Sequence, residues 1–220
     1  MLKIRIIMKT LFGFLFSFLF IFSSFSFDQT WEKINEKDGI EVFRKYIKGR
    51  SVAAFGGKTI IEAPIEKVFW VISDNTTRKD WVDRLVVSEV IENPGPFEKV
   101  MYQEFSLPWP LSNREFIYRA SAKKVVKKES YRISMNDLSS HPNAPKIRGV
   151  KAEMVYGFYL LTRLGPNQTE VSVEILSDPH GLLPAWLVNV IQKNWPVKTL
   201  SGISKQVKKP FVQMEQLPKS

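Results

Sequence analysis

Two histidines and no cysteine bound the chemistry open to this chain of 220 residues. Without a thiol there is no thiolate nucleophile, no disulfide and no cysteine-linked lipid. His141 lies in the proline-containing stretch Ser139 to Arg148, and His180 in the run Asp178-Pro179-His180-Gly181. Neither has a second histidine or a carboxylate at ligand spacing along the sequence, so no metal is expected. Asp178 and His180 could imitate an acid–base pair, yet Asp-Pro-x-Gly is explained by turn and cap geometry. No G-x-S-x-G elbow and no phosphate-cradling glycine loop occurs. The chain is therefore expected to be neither an enzyme nor dependent on a cofactor.

What remains is a set of side chains that could grip a ligand from the face of a sheet. From Leu85 the hydrophobic period is two, predicting strands at 85–92, 98–107, 114–126, 129–138, 149–164 and 168–177. Alternation assigns Met101, Gln103 and Phe105 to an inner face, with Arg114, Phe116, Tyr118 and Ala120 from the next strand. Tyr131, Ile133 and Met135 follow, then Met154, Tyr156, Phe158 and Leu160, then Val171, Val173 and Ile175. The interior so defined mixes large apolar groups with hydroxyls, an amide and a guanidinium. Such a mixture is either a packed core with satisfied polar groups or a cavity that holds one end of an amphipathic ligand.

These strands must be positioned by what flanks them. Pro184 suits a first helical position, and a long helix is expected from there. Leu187, Val190, Ile191 and Asn194 share one face with Leu200, Ile203 and Val207, while Lys198, Lys205 and Lys209 take the other. Pro196 and Gly202 predict two helical pieces meeting near Asn194 and Trp195. Upstream, a helix is expected at Asp28 to Lys37, strands at 40–47 and 51–62, and a bulge or bend at Gly56 and Gly57. A helix opens at Ala63-Pro64, and a shorter one carries Arg78 and Trp81. The Ser139 to Arg148 stretch, the longest break among the strands, is a candidate lid.

Residues 1–26 place Lys3, Arg5 and Lys9 before an apolar run from Leu11 to Phe22 and small residues at Ser24 and Ser26, the pattern of a cleaved secretory leader. Residues 27–210 then form one domain and 211–220 a tail, in a periplasmic or secreted protein. The formal net charge is +10, and without the leader's Lys3, Arg5 and Lys9 it is 29 − 22 = +7, a modest, spread-out excess that suits attraction to an anionic membrane surface better than nucleic-acid binding. Lys123, Lys124, Lys127 and Lys128 straddle a predicted hairpin as a cluster.

Three passages add a resemblance. Leu107 to Tyr118, LPWPLSNREFIY, looks like the aromatic-proline and Ser-Asn-Arg-Asp segment of START domains, especially those similar to phosphatidylcholine transfer protein. Ser177 to Asn189, SDPHGLLPAWLVN, is similar to the lead-in of the START terminal helix, and Arg78-Lys79-Asp80-Trp81 resembles the arginine and tryptophan after the first helices. The resemblance implies an α+β helix-grip fold, a curved antiparallel sheet wrapped around the C-terminal helix. It also implies binding of one lipid or hydrophobic molecule in an internal cavity, as a carrier or a sensor that meets membranes transiently, and a monomer is expected. The alternatives are a cyclase-like enzyme of the wider helix-grip superfamily acting on a hydrophobic small molecule, or a module that binds a protein partner and has a packed core. Arg114 would then face a lipid phosphate or pair with an internal carboxylate; Glu115 stands where the family commonly has Asp. Trp81, Trp186, Val190 and Asn194 join the inner-face residues as candidate ligand contacts.

Overall fold

The computed structural model describes residues 31–219 apart from 126–128 and 182. The leader expected at 1–26 and the cluster members Lys127 and Lys128 lie outside the described residues. Ten strands form one sheet in the order β1-β2-β3-β10-β9-β7-β6-β5-β4, with the two-residue β8 running parallel to β6. The sheet is curved and holds the C-terminal helix, which is the helix-grip arrangement.

β1 (Glu32–Lys37) and β2 (Ile40–Lys45) open the chain as a hairpin. The helix expected at Asp28 to Lys37 is thus a strand over its described length. Asp38 and Gly39 both have positive φ, 53° and 73°, as a two-residue type I′ hairpin requires. β3 (Ala54–Ile61) then runs without a bulge at Gly56 or Gly57. Gly57 instead permits a close approach: a Cβ there would lie 2.7 Å from Pro196 Cβ and 3.0 Å from Leu200 Cδ1.

α1 (Ile65–Ser73) follows, burying Ile65, Val68, Phe69, Val71 and Ile72, and a 3-10 turn at Arg78–Asp80 carries the chain to the meander. β4 (Leu85–Gly95), β5 (Glu98–Phe105), β6 (Arg114–Val125), β7 (Ser130–Asp137), β9 (Glu153–Gly165) and β10 (Gln168–Asp178) match the predicted strands within a few residues; β8 is Val150–Lys151.

α2 (Ala185–Gln206) is one helix through Pro196 rather than two pieces. Its buried stripe also differs from the expected one. Val188, Gln192, Thr199, Leu200, Ile203, Gln206 and Val207 turn inward, while Val190 is 53% exposed and Asn194 is on the surface. The sheet seats the helix through small groups: Gly57 meets Pro196 from β3, and a Cβ on Gly202 would come within 2.5 Å of the Trp81 carbonyl oxygen. Lys198, Lys205 and Lys209 stay exposed as expected.

Beyond α2 the chain turns back over α1. Val212 is buried, Leu217 packs against the main core, and the Phe211 ring lies 6.4 Å from that of Trp70. The Glu215 N–H donates to the Glu66 carbonyl at 3.4 Å.

Candidate functional site

Among the described residues, two cavities line the concave face of the sheet. The larger, about 240 Å³, lies between the first half of α2 and the ends of β5, β6, β9 and β10. Phe105, Arg114, Phe116, Met154, Ile175, Val190 and Asn194 of the candidate set line it. The smaller, about 110 Å³, lies under α1 and the C-terminal tail and takes in Met101, Tyr118 and Met135. Successive inward residues of β6 thus serve different chambers: Arg114 and Phe116 the larger, Tyr118 and Ala120 the smaller. Met135 and Met154 converge between them, at 2.7 Å and 3.4 Å from where a Cβ on Gly157 would stand. The place where the chambers come together is occupied by unbranched, adaptable side chains.

Tyr156 and Phe158 are displaced from the site by a register shift. Leu176 pairs with Tyr156 but Ser177 pairs with Met154, so Val155 is left out of the ladder and the phase of β9 changes. Met154 points inward, and after the shift Gly157, Tyr159 and Leu161 do. Phe158 instead sits on the outer face with the Arg132 guanidinium 3.5 Å from its ring centroid. Tyr156 packs with Leu176 and Val188 in a satellite cluster, where burial, with the Glu174 charge, pushes its hydroxyl pKa up to about 12.

Four further candidates are buried but line neither cavity: Trp81, Gln103, Tyr131 and Val173. Trp81 serves as the floor for α2 at Gly202. Gln103 donates to Ser88 Oγ at 3.0 Å, a satisfied internal amide. Trp186 is 67% exposed and lies outside both cavities.

Arg114 is 5% exposed and makes no ion pair among the described residues. It donates instead to the carbonyls of Ser112 at 2.5 Å, Pro179 at 2.6 Å and His180 at 3.2 Å. One guanidinium therefore holds the turn that leads into α2. Burial alone lowers its pKa, the mark of a charge with no anion to offset the loss of water.

Glu115 points the opposite way, fully buried on the outer face. It accepts from Tyr102 Oη at 2.7 Å, from the Arg148 amide at 2.8 Å and from the Gly149 amide. Burial raises its pKa, but these three donors outweigh it and the net shift is downward. The longer carboxylate thus performs an anchoring task for the 139–148 loop. That loop covers Val100, Tyr102 and Ile117 on the outer face through Ala144 and Ile147, beside the preceding Leu138. It does not line either cavity, so the lid expectation is corrected. His141 pairs there with Glu92 at 2.6 Å, away from the cavities.

His180 acquires in three dimensions the carboxylate neighbours that its sequence spacing lacked: ligand atoms of Glu153, Asp178 and His180 lie within 4.8 Å of one another. Each is already engaged. Asp178 accepts the His180 backbone N–H at 2.9 Å, Glu153 pairs with Arg50 at 3.4 Å, and His180 Nδ1 meets the Lys151 carbonyl at 3.2 Å.

Arg78 was missed as a site residue, although its motif was noticed. It is 9% exposed, lines the smaller cavity, and its Nε has no hydrogen-bond partner among the described residues. The signal that points to it is the Arg78-Lys79-Asp80-Trp81 motif, whose arginine faces the chamber while its tryptophan supports α2.

A curved antiparallel sheet closed by a terminal helix over an apolar chamber defines the helix-grip class. The chain belongs to the START domain family, whose match spans residues 26–210. It is 25% identical over 167 residues to bovine phosphatidylcholine transfer protein, covering 74% of this chain and 78% of that one. Human STARD10 superposes with a TM-score of 0.73 at 23% identity, over 82% of this chain and 74% of that structure. A fragment of a STAR-related lipid transfer protein from Xanthomonas axonopodis gives 0.70 at 22% identity, over 81% and 99%.

Proposed function

We propose that this protein carries one lipid or other hydrophobic molecule, taking it up from a membrane and enclosing it beneath α2 without chemical change. The observation that carries the reading is the larger cavity, about 240 Å³, with mostly apolar walls and, at one end, the buried Arg114, which makes no ion pair among the described residues. Relatives named as lipid transfer proteins support it. Ligand pockets commonly enclose roughly 300–1,000 Å³, so loading involves expansion. Rearranging Met135 and Met154 joins the two chambers, and lifting α2 widens the larger.

Lifting the first half of α2 would break polar contacts at the rim and uncover Val188, while Leu200 and Ile203 keep the second half seated in the core. Lys198 donates to Asp83 at 2.9 Å across the rim, Asn189 Oδ1 accepts the Ala53 N–H at 3.3 Å, and Arg114 holds the turn. Each buried methylene contributes about 0.8 kcal/mol to the closed complex, so a lipid chain offsets their loss only when it is enclosed. A membrane that competes for these groups lowers the opening barrier. Trp109, 93% exposed in the β5–β6 loop, and Trp186, 67% exposed at the start of α2, supply interfacial aromatic anchors. Arg84 and Lys198 at the rim supply positive charge. The leader pattern of residues 1–26 supports a periplasmic or secreted location, which N-terminal sequencing of protein from cell fractions tests.

The carrier reading is tested by incubating the protein with mixed-lipid vesicles, re-isolating it and measuring its native mass. A stoichiometric lipid adduct is expected; an unchanged mass refutes it. Replacing Trp109 and Trp186 together by alanine should slow uptake about tenfold, while stability stays within about 0.5 kcal/mol because both side chains are largely exposed.

A further inference from the structure

The turn that leads into α2 gathers three metal-ligating groups that line neither cavity. Glu153 opens β9 and Asp178 closes β10, and the two are direct cross-strand partners. Like charges set opposite each other in a sheet destabilise it unless a cation lies between them. His180 completes the group: its backbone takes the left-handed φ of 50°, and its ring Nδ1 lies 3.2 Å from the Lys151 carbonyl oxygen. A carbonyl only accepts, so Nδ1 carries the proton of the neutral ring and Nε2 presents a lone pair. That Nε2 lies 3.9 Å from Glu153 Oε2. One ligand atom from each of the three residues falls within 4.8 Å of the others.

The existing contacts orient these groups without using them up. A metal-bound histidine characteristically donates its other ring N–H to a carbonyl or carboxylate, which fixes tautomer and ring direction; the Lys151 carbonyl holds that position. Asp178 accepts the His180 backbone N–H through Oδ1 at 2.9 Å, which aims the carboxylate and leaves a second oxygen to ligate. Glu153 meets Arg50 at 3.4 Å, a half-exposed pair that a stronger cation can replace. Zinc bonds of about 2.0–2.2 Å set tetrahedral ligand atoms about 3.4 Å apart, so the Glu153–His180 pair needs to close by only about 0.5 Å. One imidazole and two carboxylates suit zinc, whereas calcium and magnesium take shells of oxygen. The His180 side chain is 50% exposed, so the ion enters from solvent and water completes its coordination.

We propose that Glu153, Asp178 and His180 bind one zinc ion, that the ion ties the turn before α2 to the start of β9, and that Arg50 is the internal cation it displaces. Arg114 holds the same turn from the chamber side, through the carbonyls of Pro179 and His180. Zinc holds it from the solvent side, through the His180 ring and the Asp178 carboxylate. With both in place the hinge on which the first half of α2 lifts is pinned on two faces. Zinc binding stands apart from lipid carriage, and only the control of α2 opening rests on that reading.

The test titrates tag-free, chelator-treated protein with zinc chloride by calorimetry and follows hydrogen exchange with and without zinc. One ion per chain at low micromolar Kd is expected. His180→Asn, which tolerates the left-handed backbone, and Asp178→Asn, which keeps an acceptor for the His180 N–H, should each weaken binding at least about tenfold. His141→Asn, altering the other histidine, should leave it unchanged. Arg50→Gln should tighten binding about threefold by removing the competing cation, a gain that no unfolding of the variant can imitate. Zinc should slow exchange at residues 178–188 in wild type and leave His180→Asn unaffected. No binding up to about 1 mM zinc, or binding that His180→Asn does not weaken, overturns the site. Binding at the site with unchanged exchange overturns the clamp alone, and unaltered affinity in Arg50→Gln overturns the displacement. If zinc binds and slows exchange but leaves lipid uptake from vesicles unchanged, the control of opening is overturned and the site stands.

Discussion

Replacing Gly202 by alanine sets two sizeable effects against each other. Within a helix interior alanine is favoured over glycine by about 1 kcal/mol, so propensity predicts stabilisation. The structure predicts the reverse. The new Cβ would lie 2.5 Å from the Trp81 carbonyl oxygen, 3.3 Å from its carbon and 3.4 Å from Trp81 Cβ. The atom met first is backbone, which cannot rotate aside, so the overpacking cost belongs at the upper end of about 1–3 kcal/mol. The expected net loss is about 1–2 kcal/mol, or a fall of about 2–8 °C in melting temperature for a domain of this size. Because the clash pushes α2 off the 3-10 turn, hydrogen exchange should also rise in α2 and at Trp81 and Val82. Thermal and urea unfolding, with exchange mapped by mass spectrometry, provide the readout. A melting temperature equal to or above wild type would refute the proposed seating of α2.

Gly157→Ala is the contrasting case. Its Cβ would meet the methyl end of Met135 at 2.7 Å, a group that can swing away, so stability should change by less than about 1 kcal/mol, while lipid loading by native mass spectrometry falls as the partition thickens. Arg114→Met removes three donors from the turn before α2 and should cost about 2–3 kcal/mol in urea unfolding, with hydrogen exchange rising first at residues 178–188. Glu115→Gln should loosen the 139–149 loop and cost about 1–3 kcal/mol. Its pH dependence has a definite sign: the folded carboxyl pKa lies below 4.5, so the stabilisation is complete above the unfolded value and is lost as pH falls through the folded one. Acid unfolding followed by circular dichroism should therefore show a shallower decline below about pH 4.5 for the variant than for wild type.

Much of the architecture was legible because local patterns carried it. The period-two runs after Leu85 and the Pro184 helix start are local steric and amphipathic signals. The Asp38-Gly39 signal was legible too, but its meaning depends on a partner strand: beside a strand it is a type I′ hairpin, beside a helix a mere exit. What the sequence could not choose was the phase of β9. In Glu153 to Leu161 both alternating sets are apolar, Met154, Tyr156 and Phe158 against Val155, Tyr159 and Leu161, so alternation gives no preference. The register shift opposite Leu176 and Ser177 breaks the tie and turns Tyr156 and Phe158 outward.

By itself the sequence determined an antiparallel sheet with a terminal helix, the family, and the side chains of β5, β6 and β7 that face inward. Each of those follows from periodicity or from a contiguous motif. Tertiary structure alone decided that Arg114 binds the turn before α2, that Glu115 anchors the outer loop, and that Arg78, Lys99 and Glu215 meet at one chamber. These are contacts between residues distant along the chain. Their partners are selected by sheet curvature and helix seating, and no spacing along one strand encodes them.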